Sequence, residues 1–329
     1  PCSPRGSRLK KTRLLALAAG LVLAIVLAPA AQPRFDSSRA YEHLRQIVSF
    51  GPRPAGSAAL EAARRYFRRQ FQAIGVQATD QTFEASTPIG PVKMTNVIAT
   101  IPGLRPERII FAGHYETKLF REFTFVGAND GGSSAAFLIE LARVLKGRKN
   151  PLTMEILFLD GEEAFGEWRG TDHTYGSRYY VEAARRAGTL KQVRALVLVD
   201  MIGARDLTLD RDENSTPWLV DAIWQSAKKL GVQKHFPEAP TAIEDDHLPF
   251  LAAGVQAVDI IDLNHFAQAG WWHTPEDTLD KISARSFQVV GDVLLAALPK
   301  IEARLLKSAT AATTKPKIPA TNAKTTAKK

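Results

Sequence analysis

The chain has 329 residues, 45% of them hydrophobic, enough to bury a large core in one sizeable α/β domain. Its formal charge of +9 does not describe the body, because residues 1–13 carry five Lys/Arg and residues 307–329 carry six Lys, neither with an acid. Removing those eleven leaves −2 for the rest, so a nucleic-acid binder, whose basic patch belongs on the folded body, is excluded.

Residues 8–13, RLKKTR, are followed by the apolar run LLALAAGLVLAIVLAPAA, with small residues near Ala28–Ala31. A basic stretch, an apolar stretch and small residues make an export signal; the run is also long enough for an uncleaved membrane anchor. Residues 1–35 are therefore expected to be a leader, and the protein exported to the periplasm or secreted, either free or anchored through that segment. The sole cysteine, Cys2, lies ahead of it, so the body holds no disulfide framework.

The domain is expected over residues 36–306. A helix opens at the cap DSS and runs from Asp36 to Phe50, and a second runs through LEAARRYFRRQFQAIG to Gly75. Strands follow in VQATDQTF and VKMTNVIATI, then in the short apolar runs ERIIFAGHY, MEILFLD, VRALVLVDM and VQAVDIID. Helical patterns alternate with them: GSSAAFLIELARVLKG, SRYYVEAARRAG, TPWLVDAIWQSAKKLG and a closing helix over 284–306. Buried strands alternating with helices predict a three-layer α/β/α domain around a mixed, largely parallel sheet. Residues 307–329, Lys/Ala/Thr-rich with no apolar face, are expected as a disordered basic tail. A monomer is expected.

Ligands of open α/β sheets bind beyond the carboxyl ends of the strands. There the sequence places His114, the pair Glu162–Glu163 and Asp200, with Asp130 ahead of a helix and His273 in GWWHTPEDT. Adjacent glutamates repel, and a cation offsets that. In extended backbone neighbouring side chains face opposite ways, so one glutamate can bind a metal while the other faces the reacting group. Carboxylates and imidazoles are ligands for zinc, and an unligated carboxylate beside a Lewis acid suits carbonyl chemistry with a general base. Each residue has a plainer reading: a solvated turn for the glutamates, a helix cap for Asp130, a strand-end turn for Asp200. His114 is equally a hydrogen-bonded core histidine, Trp168 and Trp272 are equally core, and His247 is a structural partner of nearby acids, with Asp246 available to orient it.

The strings GHYETK, GANDGGSSAAFLIELARVL, FLDGEEAFGEW, TYGSR, VDMIGA, EDDHLPFL and WWHTPEDTLDKI, in this order, resemble the zinc aminopeptidase superfamily and more closely its glutaminyl cyclase branch. The resemblance implies that Asp130, Glu163 and His273 hold a single zinc and Glu162 is the general acid/base. Asp200 and Asp245 match the carboxylates around that base, and Trp168 and Trp272 match the walls of the glutamine pocket. His114 and Asp200 match the further ligands of a second zinc in aminopeptidases. The activity implied is cyclisation of N-terminal glutamine of peptides or proteins to pyroglutamate with release of ammonia. A zinc aminopeptidase is the alternative, and an inactive exported binding module a third. This chain departs from the family pattern at Glu116, where Asp is usual, at Gly113, where animal cyclases carry a disulfide cysteine, and in the loop HFAQAGWWHT, which leaves the pocket's third wall open.

Overall fold

The structure, a computed structural model, describes residues 1–2 and 33–313. The apolar leader and the chain beyond 313 lie outside the described residues, so the expected leader and most of the expected tail have no structural account. Among the described residues, no helix is long and apolar enough to cross a membrane.

Every run expected as a strand is one. The strands are β1 (Gln77–Thr87), β2 (Gly90–Ile101), β3 (Arg108–His114), β4 (Thr153–Leu159), β5 (Val193–Asp200), β6 (Arg211–Asp212), β7 (Pro240–Thr241) and β8 (Gln256–Ile261). Six of them form one sheet in the order β1-β2-β4-β3-β5-β8. The pairs β4–β3, β3–β5 and β5–β8 are parallel, whereas β1–β2 and β2–β4 are antiparallel. The sheet is therefore mixed and largely parallel, as expected. The short β6 and β7 pair with each other and were not legible, since two residues carry no periodicity.

The helices are α1 (Ser37–Val48), α2 (Ala58–Ala73), α3 (Gly132–Lys146), α4 (Tyr175–Arg186), α5 (Pro217–Lys229), α6 (His247–Ala252), α7 (Leu263–Gln268) and α8 (Ala284–Thr313). Asp36 caps α1 by accepting from Ser38 N and Arg39 N, and the Ser57 hydroxyl caps α2. The one-turn helices α6 and α7 are too short to leave a 3.6-residue pattern. The closing helix runs on past the expected boundary at Leu306 to Thr313, because the alanine-rich sequence there holds no Gly or Pro before Pro316.

Both faces of the sheet are covered, which explains why the central strands read as continuous apolar runs rather than alternating ones. Ile109 and Phe111 of β3 join the larger core with Leu44 of α1, Phe67 of α2, Phe137 of α3 and Leu294 of α8. Ile110 and Ala112, one residue out of phase, join the smaller core with Tyr180 of α4 and Phe250 of α6. With both faces filled, the polar side chains gather at the sheet's carboxyl edge.

Candidate active site and metal centre

Strand β3 delivers His114 at its last residue, 2% exposed. The chain then makes a long loop to α3, whose ends are tied by Arg53. This guanidinium is wholly buried and donates to the carbonyls of Tyr115 (3.0 Å), Val126 (2.5 Å) and Gly127 (2.9 Å). Asp130 follows the loop. Its N–H and that of Asn129 donate to the buried carboxylate of Asp277, at 3.0 and 2.7 Å. Gly131 then turns the chain at φ +72°. A β-carbon there would lie 2.3 Å from the Glu116 carbonyl and 3.0 Å from the His114 ring, so only glycine lets this turn close against β3. The N-cap of α3 is Gly131, without a side-chain bond, and the Asp130 carboxylate lies against two imidazoles instead of capping the helix.

Three side chains from three separate segments converge there. One ligand atom each of Asp130, Glu163 and His273 lie within 4.8 Å of one another. His273 Nε2 is 2.9 Å from Glu163 Oε1 and 3.3 Å from Asp130 Oδ2. A second such group shares Asp130: His114 Nε2 is 3.1 Å from both Asp130 Oδ1 and Asp200 Oδ1. Asp200 also accepts from Met201 N at 2.8 Å and Ser134 Oγ at 3.3 Å. Asp130 thus stands between two clusters, one oxygen to each.

Glu162 is 8% exposed and stands outside the first trio, with Oε2 3.8 Å from His114 Nδ1. Burial pushes its carboxyl well above the usual range; the His114 charge opposes this, while Glu163, Asp245 and Asp246 add to it. Asp245, 4% exposed, is likewise pushed up by burial and then by Asp200 and Asp246. For His273 burial works downward, but Glu163 and Asp130 outweigh it and hold the imidazole up at about 9.

The donor set fits a divalent cation. The buried oxygen Asp130 Oδ2 has no hydrogen-bond partner, and a single imidazole edge of His273 faces two carboxylate oxygens at once. Two carboxylates and an imidazole around one point are a zinc ligand set that leaves a position open. Glu163's second oxygen is 3.3 Å from Lys118 Nζ.

The two tryptophans are on the surface rather than in the core: Trp168 is 36% exposed and Trp272 39%. Trp272 stacks on the His273 ring at 4.2 Å between centroids. Trp168 stacks on His173 at 4.3 Å, and its N–H donates to Glu244, the neighbour of Asp245. Sequence reasoning missed the other aromatic neighbours of His273: Phe120 and Phe125 stand edge-on at 5.8 and 6.0 Å. The alternation in LFREFTF was their only signal. Phe266, in the loop that left the third wall open, is fully buried against Trp271 instead. His247 is a structural partner of acids as expected, but of Asp212 (Nε2–Oδ2 3.1 Å) and Asp259 (Nδ1–Oδ2 3.8 Å); Asp246 accepts from Ser177.

Residues 96–298 match peptidase family M28. The chain belongs to that family. Its relatives include glutaminyl cyclases and a leucine aminopeptidase precursor of Bacteroides thetaiotaomicron, 28% identical over 81% of this chain with a TM-score of 0.73, and zinc dependence comes with the family. The structure of an Acidobacteriales bacterium glutaminyl cyclase is 41% identical, covers 84% of this chain and 99% of its own, and superposes with a TM-score of 0.78. The glutaminyl-peptide cyclotransferase-like proteins of Mus musculus and Bos taurus are each 31% identical, over 69% and 60% of this chain. The chain spans 66% and 58% of those two relatives' own lengths.

Proposed function

We propose that this M28 member is a zinc-dependent glutaminyl-peptide cyclotransferase, converting N-terminal glutamine of peptides and proteins to pyroglutamate with release of ammonia. The observation that carries the reading is the approach of Asp130, Glu163 and His273 within 4.8 Å, with the adjacent Glu162 left outside the trio. Bound by those three residues, a zinc ion would supply Lewis-acid polarisation of the glutamine γ-carbonyl. Glu162 takes a proton from the substrate's α-amine as its nitrogen bonds to the carbonyl carbon of the side-chain amide, Cδ. Glu162 then returns that proton to the amide nitrogen, the C–N bond breaks, and ammonia leaves a five-membered lactam. A carboxylate kept from water with a raised proton affinity is suited to both halves of that transfer. Asp245 and Asp200 support the base through the buried charge they share with it. Trp272, Phe120 and Phe125 hold the His273 ring in place and give the glutamine side chain apolar surface to fold against. Because nucleophile and carbonyl belong to one residue, the residues around them mainly select the reactive conformer and exclude water.

One ion is proposed. A specific observation favours a second reading, a two-metal aminopeptidase: His114, Asp130 and Asp200 also lie within 4.8 Å of one another. The test is to incubate the purified protein with zinc and either a glutaminyl peptide or an aminoacyl anilide, counting bound zinc by elemental analysis. Ammonia release with one zinc is expected; anilide cleavage with two zinc ions and no ammonia would replace the cyclase by the peptidase. We further propose export through the leader in residues 1–35, which mass analysis of the mature N-terminus tests.

A further inference from the structure

Adjacent glutamates with separate jobs need something to keep them apart, and that requirement is independent of which reaction the site runs. The loop leaving β3 contains Glu116 and Lys118, alternate residues that reach across to the segment leaving β4. Glu116 is 1% exposed, and its Oε1 accepts from Glu162 N at 2.6 Å and from Glu163 N at 3.1 Å. The same oxygen is 3.7 Å from His114 Nδ1, so its hydrogen bonds go to the backbone of the glutamate pair and not to the imidazole. Lys118 donates to the Ala164 carbonyl at 2.9 Å and reaches Glu163 Oε2 at 3.3 Å. The opposite side of the segment is pinned too: Tyr175 N donates to Gly161 O and Thr174 N to Glu162 O, at 2.7 and 2.8 Å.

We propose that Glu116 and Lys118 form a clamp that assigns the two glutamates their roles, as positioning residues that touch neither substrate nor metal. Glu116 fixes the peptide plane from which the two side chains diverge. Lys118 occupies one oxygen of Glu163, so that the other, Oε1, turns to His273 and Asp130. A glutamate with both oxygens free can swing or bind through both; one tied at Oε2 offers a single ligand atom. Lys118 has a simpler alternative role, as a counter-charge for the buried acids. Its closer approach to a neutral carbonyl than to the carboxylate favours orientation.

The inference rests on the metal role of Glu163 but not on the cyclase chemistry, and the test separates the two. The full chain is prepared with cobalt(II) in place of zinc, and its visible absorption and metal affinity are read without substrate. Lys118→Met should shift the cobalt bands and weaken metal binding about tenfold, within the ~10–100-fold range of residues that support metal ligands. Where turnover is measured, kcat should fall with KM within about threefold. Lys118→Arg, which restores a donor, should recover the parent spectrum. Glu116→Gln keeps a carbonyl oxygen for the two N–H groups and should stay within about threefold of the parent, whereas Glu116→Ala should lose about tenfold or more in kcat. Unchanged cobalt bands and affinity in Lys118→Met, or Glu116→Gln as impaired as Glu116→Ala, would overturn the clamp. Should Glu116→Ala not fold, Lys118→Met and Glu116→Gln still decide. Failure of the parent to bind cobalt would remove the metal site and the clamp together; a clamp that behaves as expected in a protein releasing no ammonia would sink the cyclase reading alone.

Discussion

The two edges of the sheet differ in how far they pair their buried carboxylates. At the amino edge each has a basic partner: Glu155 meets Arg108 at 2.8 Å and also accepts from Tyr180, and Glu302 takes both terminal nitrogens of Arg148. At the carboxyl edge Asp160, just past β4, is paired with Arg64 at 3.3 Å, but Glu116, Asp130, Glu162, Glu163, Asp200, Asp245 and Asp246 are buried there as well. Among the described residues, Lys118 is the one Lys or Arg bonded to any of these seven. Arg53, deep beneath them, directs its donors to carbonyls. Unpaired buried charge is costly, so an edge that concentrates it has a use for the imbalance. The amino edge balances its charges within the chain; the carboxyl edge leaves an excess that a bound cation would balance.

That contrast can be broken at its most sensitive point. Glu162→Gln should lower turnover by about 10^3-fold, within the ~10²–10⁴ typical of a general acid–base group. It should leave zinc content unchanged, because Glu162 lies outside the trio. Full activity in that variant would show that the unligated carboxylate is not the base. Withdrawing the metal is the next largest perturbation. A ligand at 100 times its Kd stabilises the folded state by about 2.7 kcal/mol, so zinc should raise the melting temperature of the chelated protein by about 5–10 °C. Asp130→Asn should erase most of that zinc-dependent rise, since it removes the carboxylate common to both clusters. A melting temperature indifferent to chelator would mean that the carboxyl edge tolerates its charges without an ion.

Much of this was legible in the chain. Short apolar runs of Ile, Val and Leu bounded by polar residues gave the four parallel-paired strands β3, β4, β5 and β8, because strands buried on both faces leave that pattern, and β1 and β2 were legible from alternating or apolar stretches. The residues that the structure draws together at Asp130 could be nominated because they end strands or open helices in an α/β order, and because their types are metal ligands. What the sequence hid are relations set by tertiary packing. Nothing in the spacing of Arg53 connects it to carbonyls at 115, 126 and 127, and nothing ties Asp277 to the N–H groups of Asn129 and Asp130. Nothing in the spacing ties Glu116 to the N–H groups of Glu162 and Glu163 either. The aromatic neighbours of His273 come from the loop after β3, far from Trp272 in sequence, while Phe266 near Trp272 turns inward.

The amino edge gives the smallest and sharpest test. Arg148 is largely covered and grips Glu302 of α8 with both terminal nitrogens, one at 2.6 Å, while also donating to Asn150 at 3.0 Å. Glu302 is 3% exposed. Arg148→Met removes the partner and leaves a buried carboxylate, a change that costs ~3–5 kcal/mol where both groups are fully buried. Partial solvent access to Arg148 reduces the expected loss to about 2 kcal/mol, read as a lower urea midpoint with unchanged slope. Replacing both partners, Arg148→Met with Glu302→Leu, should recover most of it, because the cost lies in the orphaned charge and not in the lost pair. Throughout, kcat and zinc affinity should stay at the parent values, since Glu302 and Arg148 lie across the sheet from Asp130. If Arg148→Met loosened zinc, the two edges would not be electrostatically separate, and the excess acid at the carboxyl edge would have to be read as part of one charge network spanning the domain.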